Sequence, residues 1–142
     1  MTRLTRRYRF CASHRLHAPR LSDAENRELY GKCNNPHGHG HNYTLEVSVT
    51  GPVDGATGRV LSVGDLDRLV GERVLEKFDH RNLNEQIPEF ARVAPTTENL
   101  ALEIRRRLSA HWKTAFPGPS PALERVRIYE TKRNIFELSG SL

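Results

Sequence analysis

An alternation of apolar and polar residues with a period of two extends from Leu4 to Leu16. The apolar parity carries His14, whereas the opposite parity is mostly arginine and small polar residues and carries Cys11. This period is typical of a half-buried strand. The pattern predicts a first strand with His14 on its apolar face, either as a hydrogen-bonded core residue or as a ligand. Cys11 is interpreted as a structural residue on the other face.

A second alternating segment begins at a histidine. One face of this segment carries the following residues: His39, His41, Tyr43, Leu45, Val47 and Val49. If the strand begins by His39, the two imidazoles project from one face about 7 Å apart along the chain, since a strand rises about 3.3 Å per residue. That spacing suits two ligands of one metal ion.

Shorter elements are predicted around these strands. Ser22 and Glu25 have the spacing of a capping box, which predicts a short insertion helix within residues 22–31. Glycine and proline at residues 51–58 predict a turn, and a short strand is predicted to follow at residues 59–63.

Two longer helices are predicted in the middle of the chain. The first begins near Asp65, has apolar residues at helical spacing, and ends at Asp79-His80. The second is capped by Thr96 or Thr97 and carries an apolar stripe. His80 is interpreted either as a partner of the helix dipole or as an imidazole that Asp79 orients for proton transfer.

Two further strands are predicted near the end of the sequence. Val126, Ile128 and Glu130 share one face of the first, and residues 134–139 form the second. Glu130 is either solvent-exposed or a buried carboxylate that needs hydrogen-bond donors. The order of strands and helices, without a repeat or linker, predicts one α+β domain over residues 1–142.

Composition narrows the class of protein. Apolar residues make up 37% of the 142 residues and charged residues 27%, which is typical of a globular chain. No segment has the roughly eighteen apolar residues of a membrane span, and the N-terminus lacks a signal peptide's apolar segment, so a cytoplasmic protein is predicted. The net charge of +5 is spread over scattered arginines. It indicates either a solvated surface or attraction for an anionic substrate, and no nucleic-acid-binding module accompanies it.

The sequence CNNPHGHGHNY at residues 33–43 is the strongest chemical signal in the chain. Three histidines alternate with glycine after a cysteine, and imidazole is the commonest protein ligand of transition metals. A thiolate is a nucleophile and a base. The segment therefore predicts a metal site, although the spacing alone leaves open which histidines bind.

Five sequence blocks together resemble the 6-pyruvoyl-tetrahydropterin synthase family, which also contains the 6-carboxytetrahydropterin synthases of the queuosine pathway. The blocks are FCASHRL at 10–16, GKCNNPHGHGHNY at 31–43, FDHRNLN at 78–84, PTTENLA at 95–101 and YET at 129–131. The resemblance implies a T-fold, in which a four-stranded antiparallel sheet in ββααββ order carries two helices on one face. It also implies that sheets join into barrels and that two trimers stack as a homohexamer with interfacial active sites.

The resemblance also implies roles for individual residues. The family's zinc ligands match His14, His39 and His41, and its catalytic base matches Cys33. Its catalytic Asp-His pair matches Asp79 and His80.

The pterin-binding residues follow from the same resemblance. The carboxylate that anchors the pterin ring matches Glu130. Thr96 and Thr97 match positions that line the pterin pocket, although either could act only as a helix cap. Lys32 or Arg15 is a candidate for contact with the triphosphate.

The implied reaction is a zinc-dependent elimination. The expected substrate is 7,8-dihydroneopterin triphosphate, and the favoured product is 6-pyruvoyl-tetrahydropterin, with loss of triphosphate. The alternatives are 6-carboxytetrahydropterin formation with release of acetaldehyde, and a pterin-binding protein without turnover. The GKCNNP segment, the insertion helix and the ETKRNI ending resemble the first branch.

His37 makes the spacing ambiguous. Cys33 precedes both His37-Gly-His39, as in the queuosine branch, and His39-Gly-His41, as in the biopterin branch. The following Asn-Tyr and the strand parity favour His39 and His41 as ligands. His37 is then either a proton partner near the thiol or an exposed loop residue.

Overall fold

The computed structural model describes residues 1–140, which are organised around a five-stranded sheet. The strands are β1 Thr2–His14, β2 His39–Gly51, β3 Arg81–Asn82, β4 Ala122–Tyr129 and β5 Ile135–Ser139. Their order across the sheet is β3-β1-β2-β4-β5. All neighbours are antiparallel except β3, which is parallel to β1.

The α+β class is confirmed, but the prediction of a purely antiparallel four-stranded sheet is wrong. The additional strand, β3, has only two residues and pairs with Ala12 and Ser13 of β1. Periodicity cannot reveal so short a strand. The strand predicted at residues 59–63 is also wrong, because this segment is irregular and leads directly into a helix at Val63.

Five α-helical segments accompany the sheet: α1 Asp23–Tyr30, α2 Val63–Val70, α3 Glu76–Phe78, α4 Leu83–Gln86 and α5 Thr97–Ala115. A π-helical turn at Gly71–Leu75 joins α2 to α3, so that residues 63–78 are continuously helical. These residues and α5 correspond to the two long helices predicted from the sequence. Among residues 1–140, no helix is both long and apolar enough to cross a bilayer.

Local sequence explains where the helices begin. The capping box predicted for α1 is present, because the Ser22 hydroxyl accepts from the Glu25 backbone N–H and the Glu25 carboxylate accepts from the Ser22 N–H. At α5 the Thr96 hydroxyl accepts from the Asn99 N–H at 3.2 Å. Thr96 is therefore the helix cap, and Thr97 is the first helical residue.

One hydrophobic core lies between the helices and one face of the sheet. The sheet contributes the alternate residues predicted for β1 and β2, and the helices contribute their apolar stripes. Each fully buried leucine or phenylalanine in this layer contributes about 1.5–3 kcal/mol relative to exposure. The largest fully buried side chains are Tyr43, Phe78, Leu45, Leu66, Leu83, Leu100, Ile104, Leu108 and Ile128.

The opposite face of the sheet is polar. The buried Glu46 carboxylate accepts from Arg7 at 2.8 Å and from the Tyr129 hydroxyl at 3.2 Å, and Thr5 lies 2.8 Å from Ser48. The predicted barrel of joined sheets remains a prediction. So does the single-domain boundary at 142, because residues 141 and 142 lie outside the described part of the chain.

Candidate active site

The antiparallel pairing of β1 and β2 brings the predicted histidines together. His14 is directly opposite His39, and Ala12 is directly opposite His41. Because alternate residues of a strand share a face, all three imidazoles emerge on the same face at the same end of the sheet. With Cys33 they form a group that we call the inner cluster.

The distances within the inner cluster are short. The Nε2 atoms of His14 and His41 are 3.2 Å apart, and the Cys33 Sγ is 3.3 Å and 3.7 Å from these two atoms, respectively. The ring centroids of His39 and His41 are 4.7 Å apart. Two imidazole nitrogens that bind one tetrahedral zinc at 2.0–2.1 Å are about 3.3 Å apart. The ligand atoms of His14, His41 and Cys33 all lie within 4.8 Å of one another and therefore fit a transition-metal ion. His39 is not part of this group and contacts it through the ring of His41.

A contact outside the cluster orients the His14 imidazole. The His14 Nδ1 lies 2.9 Å from the Pro95 carbonyl, where it is suited to donate a hydrogen bond, and this leaves Nε2 directed at His41. Such a second contact fixes both the ring and the tautomer of a metal-binding histidine. Burial lowers the pKa of His14 and of His41, which favours the neutral form that binds metals.

The short 3-10 helix Gly31–Asn34 holds Cys33 against the end of β1. The Cys33 carbonyl accepts from the Leu16 N–H at 2.6 Å, and the buried Asn34 side chain donates to the Leu16 carbonyl at 2.7 Å. Burial raises the pKa of the Cys33 thiol, and the negative charge of Glu130 raises it further. The Cys33 sulfur is close enough to the Nε2 atoms of His14 and His41 to bind the same metal ion. The geometry therefore suits Cys33 either as a metal ligand or as a catalytic base.

Gly38 allows the loop before β2 to pack against the backbone at the end of β1. Its φ is +83°, and a Cβ at this position would lie 3.0 Å from the His14 carbonyl oxygen. Both the left-handed backbone and the close approach exclude larger residues without rearrangement.

Glu130 lies beside the inner cluster, immediately after β4. Its carboxylate is 3.5 Å from the His41 Nε2 and accepts a hydrogen bond from the Thr97 hydroxyl, and its side chain is 15% exposed. Of the two interpretations of Glu130, the structure supports the largely buried carboxylate. His41 and Glu130 line a cavity of about 490 Å³ together with Arg7 and Lys132.

Tyr43 lies beside the inner cluster, although it was not predicted as a site residue. Its ring is buried with its centroid 5.5 Å from that of His41, and within residues 1–140 its hydroxyl has no hydrogen-bond partner. Burial raises the pKa of this hydroxyl, which therefore stays protonated. The strand alternation could have indicated this position, because Tyr43 lies on the same face of β2 as His39 and His41.

Asp79 and His80 lie elsewhere, against Cys11. The Cys11 N–H donates to the Asp79 carboxylate at 2.8 Å, and the His80 N–H donates to the Cys11 carbonyl at 2.6 Å. The His80 Nδ1 is 3.1 Å from the Asp79 Oδ1. We call Cys11, Asp79 and His80 the edge cluster. Both hydrogen bonds involve the backbone of Cys11 and are compatible with its interpretation as a structural residue.

The two clusters are separated within one chain. Cys11 occupies the parity of β1 opposite to that of His14, so the two side chains lie on opposite faces of the sheet. Within residues 1–140, no hydrogen bond joins Asp79 or His80 to Cys33.

Other predicted residues lie at the margin of the site. His37 is exposed in the loop before β2, outside the inner cluster, and Lys32 is also exposed. Arg15 donates from Nε to the Asn34 carbonyl at 3.2 Å. None of these contacts identifies a triphosphate-binding residue.

Comparison with known proteins gives consistent matches over almost the whole chain. A family model described as 6-pyruvoyl tetrahydropterin synthase matches residues 3–141. A 6-pyruvoyl tetrahydrobiopterin synthase of Drosophila melanogaster is 46% identical over 96% of this chain and 79% of its own. The Homo sapiens protein of the same name is 44% identical over 96% of this chain and 90% of its own.

A solved structure and a more distant relative add detail. The structure of Caenorhabditis elegans 6-pyruvoyl tetrahydropterin synthase is similar with a TM-score of 0.86 and 41% identity, covering 99% of this chain and 96% of that chain. A putative 6-carboxy-5,6,7,8-tetrahydropterin synthase of Archaeoglobus fulgidus is 45% identical over 50% of this chain and 56% of its own.

Proposed function

The chain belongs to the 6-pyruvoyl tetrahydropterin synthase family, and from this premise we propose that it is a zinc-dependent lyase. Its substrate is 7,8-dihydroneopterin triphosphate, and its product is 6-pyruvoyl-tetrahydropterin, formed with elimination of triphosphate. The observation that carries the proposal is the convergence of the His14 and His41 imidazoles with the Cys33 thiol, beside the Glu130 carboxylate and a cavity that His41 and Glu130 line.

His14, His39 and His41 are the proposed zinc ligands. Support comes from the 3.2 Å separation of two imidazole nitrogens and from burial that keeps His14 and His41 neutral. Three histidines leave a coordination position open, as in catalytic zinc sites. When bound, the ion supplies Lewis acidity toward the hydroxyls of the substrate side chain.

Cys33 is the proposed base that removes a proton from the substrate side chain. Its thiol lies beside the imidazoles, and a nearby cation favours the thiolate over the thiol. The carbonyl contact with Leu16 holds the backbone of Cys33 in place while the side chain exchanges its proton.

Glu130 is the proposed anchor for the pterin ring. A carboxylate is a bidentate acceptor for the ring's amino and N–H donors. The Thr97 hydroxyl already donates to one carboxylate oxygen and so orients the group. Of the two candidate threonines, Thr97 is therefore the one proposed to orient Glu130, whereas Thr96 caps the N-terminus of α5.

Asp79 and His80 are the proposed proton-transfer pair, supplied by a neighbouring subunit. Their separation from Cys33 within one chain supports a site assembled from two copies, and the polar outer face of the sheet leaves room for a partner. We propose a homohexamer of two stacked trimers, in which each active site combines the inner cluster of one copy with Asp79 and His80 of another.

Product analysis tests the proposed reaction. The protein is incubated with 7,8-dihydroneopterin triphosphate, and the products are separated by chromatography and identified by mass. We expect triphosphate and 6-pyruvoyl-tetrahydropterin in equal amounts. Acetaldehyde with a carboxypterin would instead assign the chain to the 6-carboxytetrahydropterin branch, for which the relative from Archaeoglobus fulgidus is the supporting observation. Pterin binding without triphosphate release would support a non-catalytic protein.

Subunit mixing tests the shared site. Cys33→Ala and His80→Asn proteins are each expected to be almost inactive. Unfolding and refolding them together is expected to restore part of the activity, because some interfaces then combine an intact inner cluster with an intact Asp79-His80 pair. A monomer by light scattering, or no recovery in hexamers shown to be mixed, would contradict the shared site.

A further inference from the structure

We propose that Tyr43 is a positioning residue for the pterin anchor, and that its hydroxyl completes a chain of hydrogen bonds through Thr97 to Glu130 when the ring binds. This role rests on the proposed function, in which Glu130 holds the pterin ring. Tyr43 acts on the ring only through these two side chains, because its own side chain is 1% exposed.

The sheet places Tyr43 next to Glu130. Thr44 of β2 is paired with Tyr129 of β4, so Tyr43 and Glu130 occupy the next positions along the two antiparallel strands. Tyr43 shares its face of β2 with the buried Leu45, since alternate residues of a strand share a face. Tyr43 and Glu130 are therefore cross-strand neighbours at the end of β4.

Aromatic neighbours fix the Tyr43 ring. It stacks on Phe10 with the ring centroids 5.0 Å apart and an angle of 19° between the ring planes, and its centroid is 5.5 Å from that of His41. A ring packed in this way has little freedom to turn. The position of the Tyr43 hydroxyl is therefore set by packing and not by a hydrogen bond.

The Tyr43 hydroxyl is buried, yet no group within residues 1–140 forms a hydrogen bond with it. Thr97 and Glu130 are among its polar neighbours: burial and then the Glu130 charge raise the pKa of this hydroxyl, whereas the Thr97 hydroxyl lowers it. Burying an unpaired hydroxyl is unfavourable. Such groups are rare in folded proteins, and one that lies beside a binding site is suited to pair when the ligand arrives.

Thr97 is the acceptor that suits Tyr43. A threonine hydroxyl has one proton to donate and two lone pairs to accept. Its proton goes to the Glu130 carboxylate, so a lone pair remains for the Tyr43 O–H. The two hydroxyls lack hydrogen-bond geometry in the free protein, and the bond between them closes when the ring orders Glu130. Because hydrogen bonds in a chain polarise one another, Tyr43 then strengthens the bond from Thr97 to the anchor.

Unfolding of the pterin-free protein tests whether the hydroxyl is unpaired. Tyr43→Phe removes only the hydroxyl, so we expect the zinc-loaded variant to resist urea at least as well as the parent. Tyr8→Phe is the matched control, because the Tyr8 hydroxyl donates to the Asp67 carboxylate at 2.7 Å, and we expect it to unfold at lower urea. A Tyr43→Phe protein that unfolds at lower urea than the parent would overturn the proposal, since its hydroxyl would then be satisfied without the pterin.

Pterin binding is measured by calorimetry of the zinc-loaded proteins with 7,8-dihydroneopterin, which has the ring but no triphosphate. We expect Tyr43→Phe to weaken binding roughly three- to tenfold, the effect of one hydrogen bond, and Tyr8→Phe to bind as the parent does. Equal affinities of the parent and Tyr43→Phe would overturn the role of Tyr43 alone. A parent that does not bind 7,8-dihydroneopterin would instead contradict the proposed function, and the role of Tyr43 with it.

A double substitution tests whether the effect passes through Thr97. Thr97→Val has a side chain of similar size without the hydroxyl. In this background we expect Tyr43→Phe to cause no further loss of affinity, because the chain of hydrogen bonds is already broken. A merely structural role of Tyr43 would not produce this coupling. Losses of affinity that multiply, as they do for independent positions, would contradict transmission through Thr97.

Discussion

The inner cluster and the edge cluster each combine a cysteine with histidine, but in very different surroundings. In the inner cluster, two imidazole nitrogens and a thiol lie 3.2–3.7 Å apart, and a carbonyl contact orients His14. In the edge cluster, the His80 Nδ1 lies 3.1 Å from the Asp79 carboxylate, and the His80 side chain is 80% exposed. Both clusters depend on β1, which carries His14 toward one face and Cys11 toward the other.

The difference shows how burial and register together prepare a metal site. Burial keeps the imidazoles of His14 and His41 neutral, and strand pairing sets their separation before any ion binds. An exposed side chain must instead lose rotamer freedom on binding, at a cost of up to about 2 kcal/mol. We therefore expect zinc to bind at the inner cluster, whereas the exposed edge cluster is suited to proton exchange.

The largest expected effect is the loss of an inner-cluster ligand. His41→Ala should lose bound zinc and lower kcat by about a thousandfold or more, because Lewis-acid stabilisation contributes several kcal/mol. Elemental analysis of the purified protein measures the metal, and a turnover assay measures the rate. Zinc bound at full occupancy with normal turnover would remove His41 from the ligand set.

Cys33→Ala separates the role of a base from that of a ligand. Loss of a proton-transfer group is expected to lower kcat by about 10²–10⁴-fold while zinc content stays at the parent level. Cys11→Ser is the matched control on the other face of β1, and we expect its turnover to be unchanged. Normal turnover in Cys33→Ala would contradict the assignment of the base, and loss of zinc would make Cys33 a ligand.

Glu130→Gln should mainly weaken substrate binding. A hydrogen bond to a charged group contributes about 1.5–3 kcal/mol, so we expect KM to rise roughly 10- to 100-fold. Glu98→Gln, an exposed carboxylate in the first turn of α5, is the control and should behave as the parent. Equal KM values for all three proteins would exclude Glu130 as the pterin anchor.

The smallest expected effect is a pH-dependent contribution of Asp79 to the stability of the folded protein. It arises from the hydrogen bond between the Asp79 carboxylate and the Cys11 N–H at the edge of the sheet. The Cys11 N–H, with His80, lowers the pKa of this carboxyl in the folded protein. The stabilisation is therefore present above the unfolded pKa of about 3.9 and lost as the pH falls through the lower folded pKa. Urea unfolding of the parent and Asp79→Asn proteins between neutral and acidic pH should show a difference that shrinks on acidification. A pH-independent difference would contradict this coupling.

The sequence was sufficient to predict the framework of the inner cluster. Alternation placed His14, His39 and His41 on the faces that the structure brings together, and the resemblance that identified the family is confirmed by the comparisons. The roles of individual residues, the ion and the oligomer stay predictions. Light scattering and metal analysis address the last two.

Other features could not be predicted, because they depend on contacts between distant residues. The Cys11–Asp79 hydrogen bond joins positions 68 apart, and the Thr97–Glu130 contact joins positions 33 apart. No local period or motif reports such contacts. For the same reason, the two-residue strand β3 and the partners of Cys11 became visible only in the folded chain.

Metal removal and restoration tests the central claim most directly. The protein is stripped with a chelator, shown to remain folded by circular dichroism, and assayed with 7,8-dihydroneopterin triphosphate before and after zinc is returned. We expect no 6-pyruvoyl-tetrahydropterin from the stripped protein and full recovery once the inner cluster holds one zinc ion per chain. Undiminished turnover by metal-free, folded protein would contradict it.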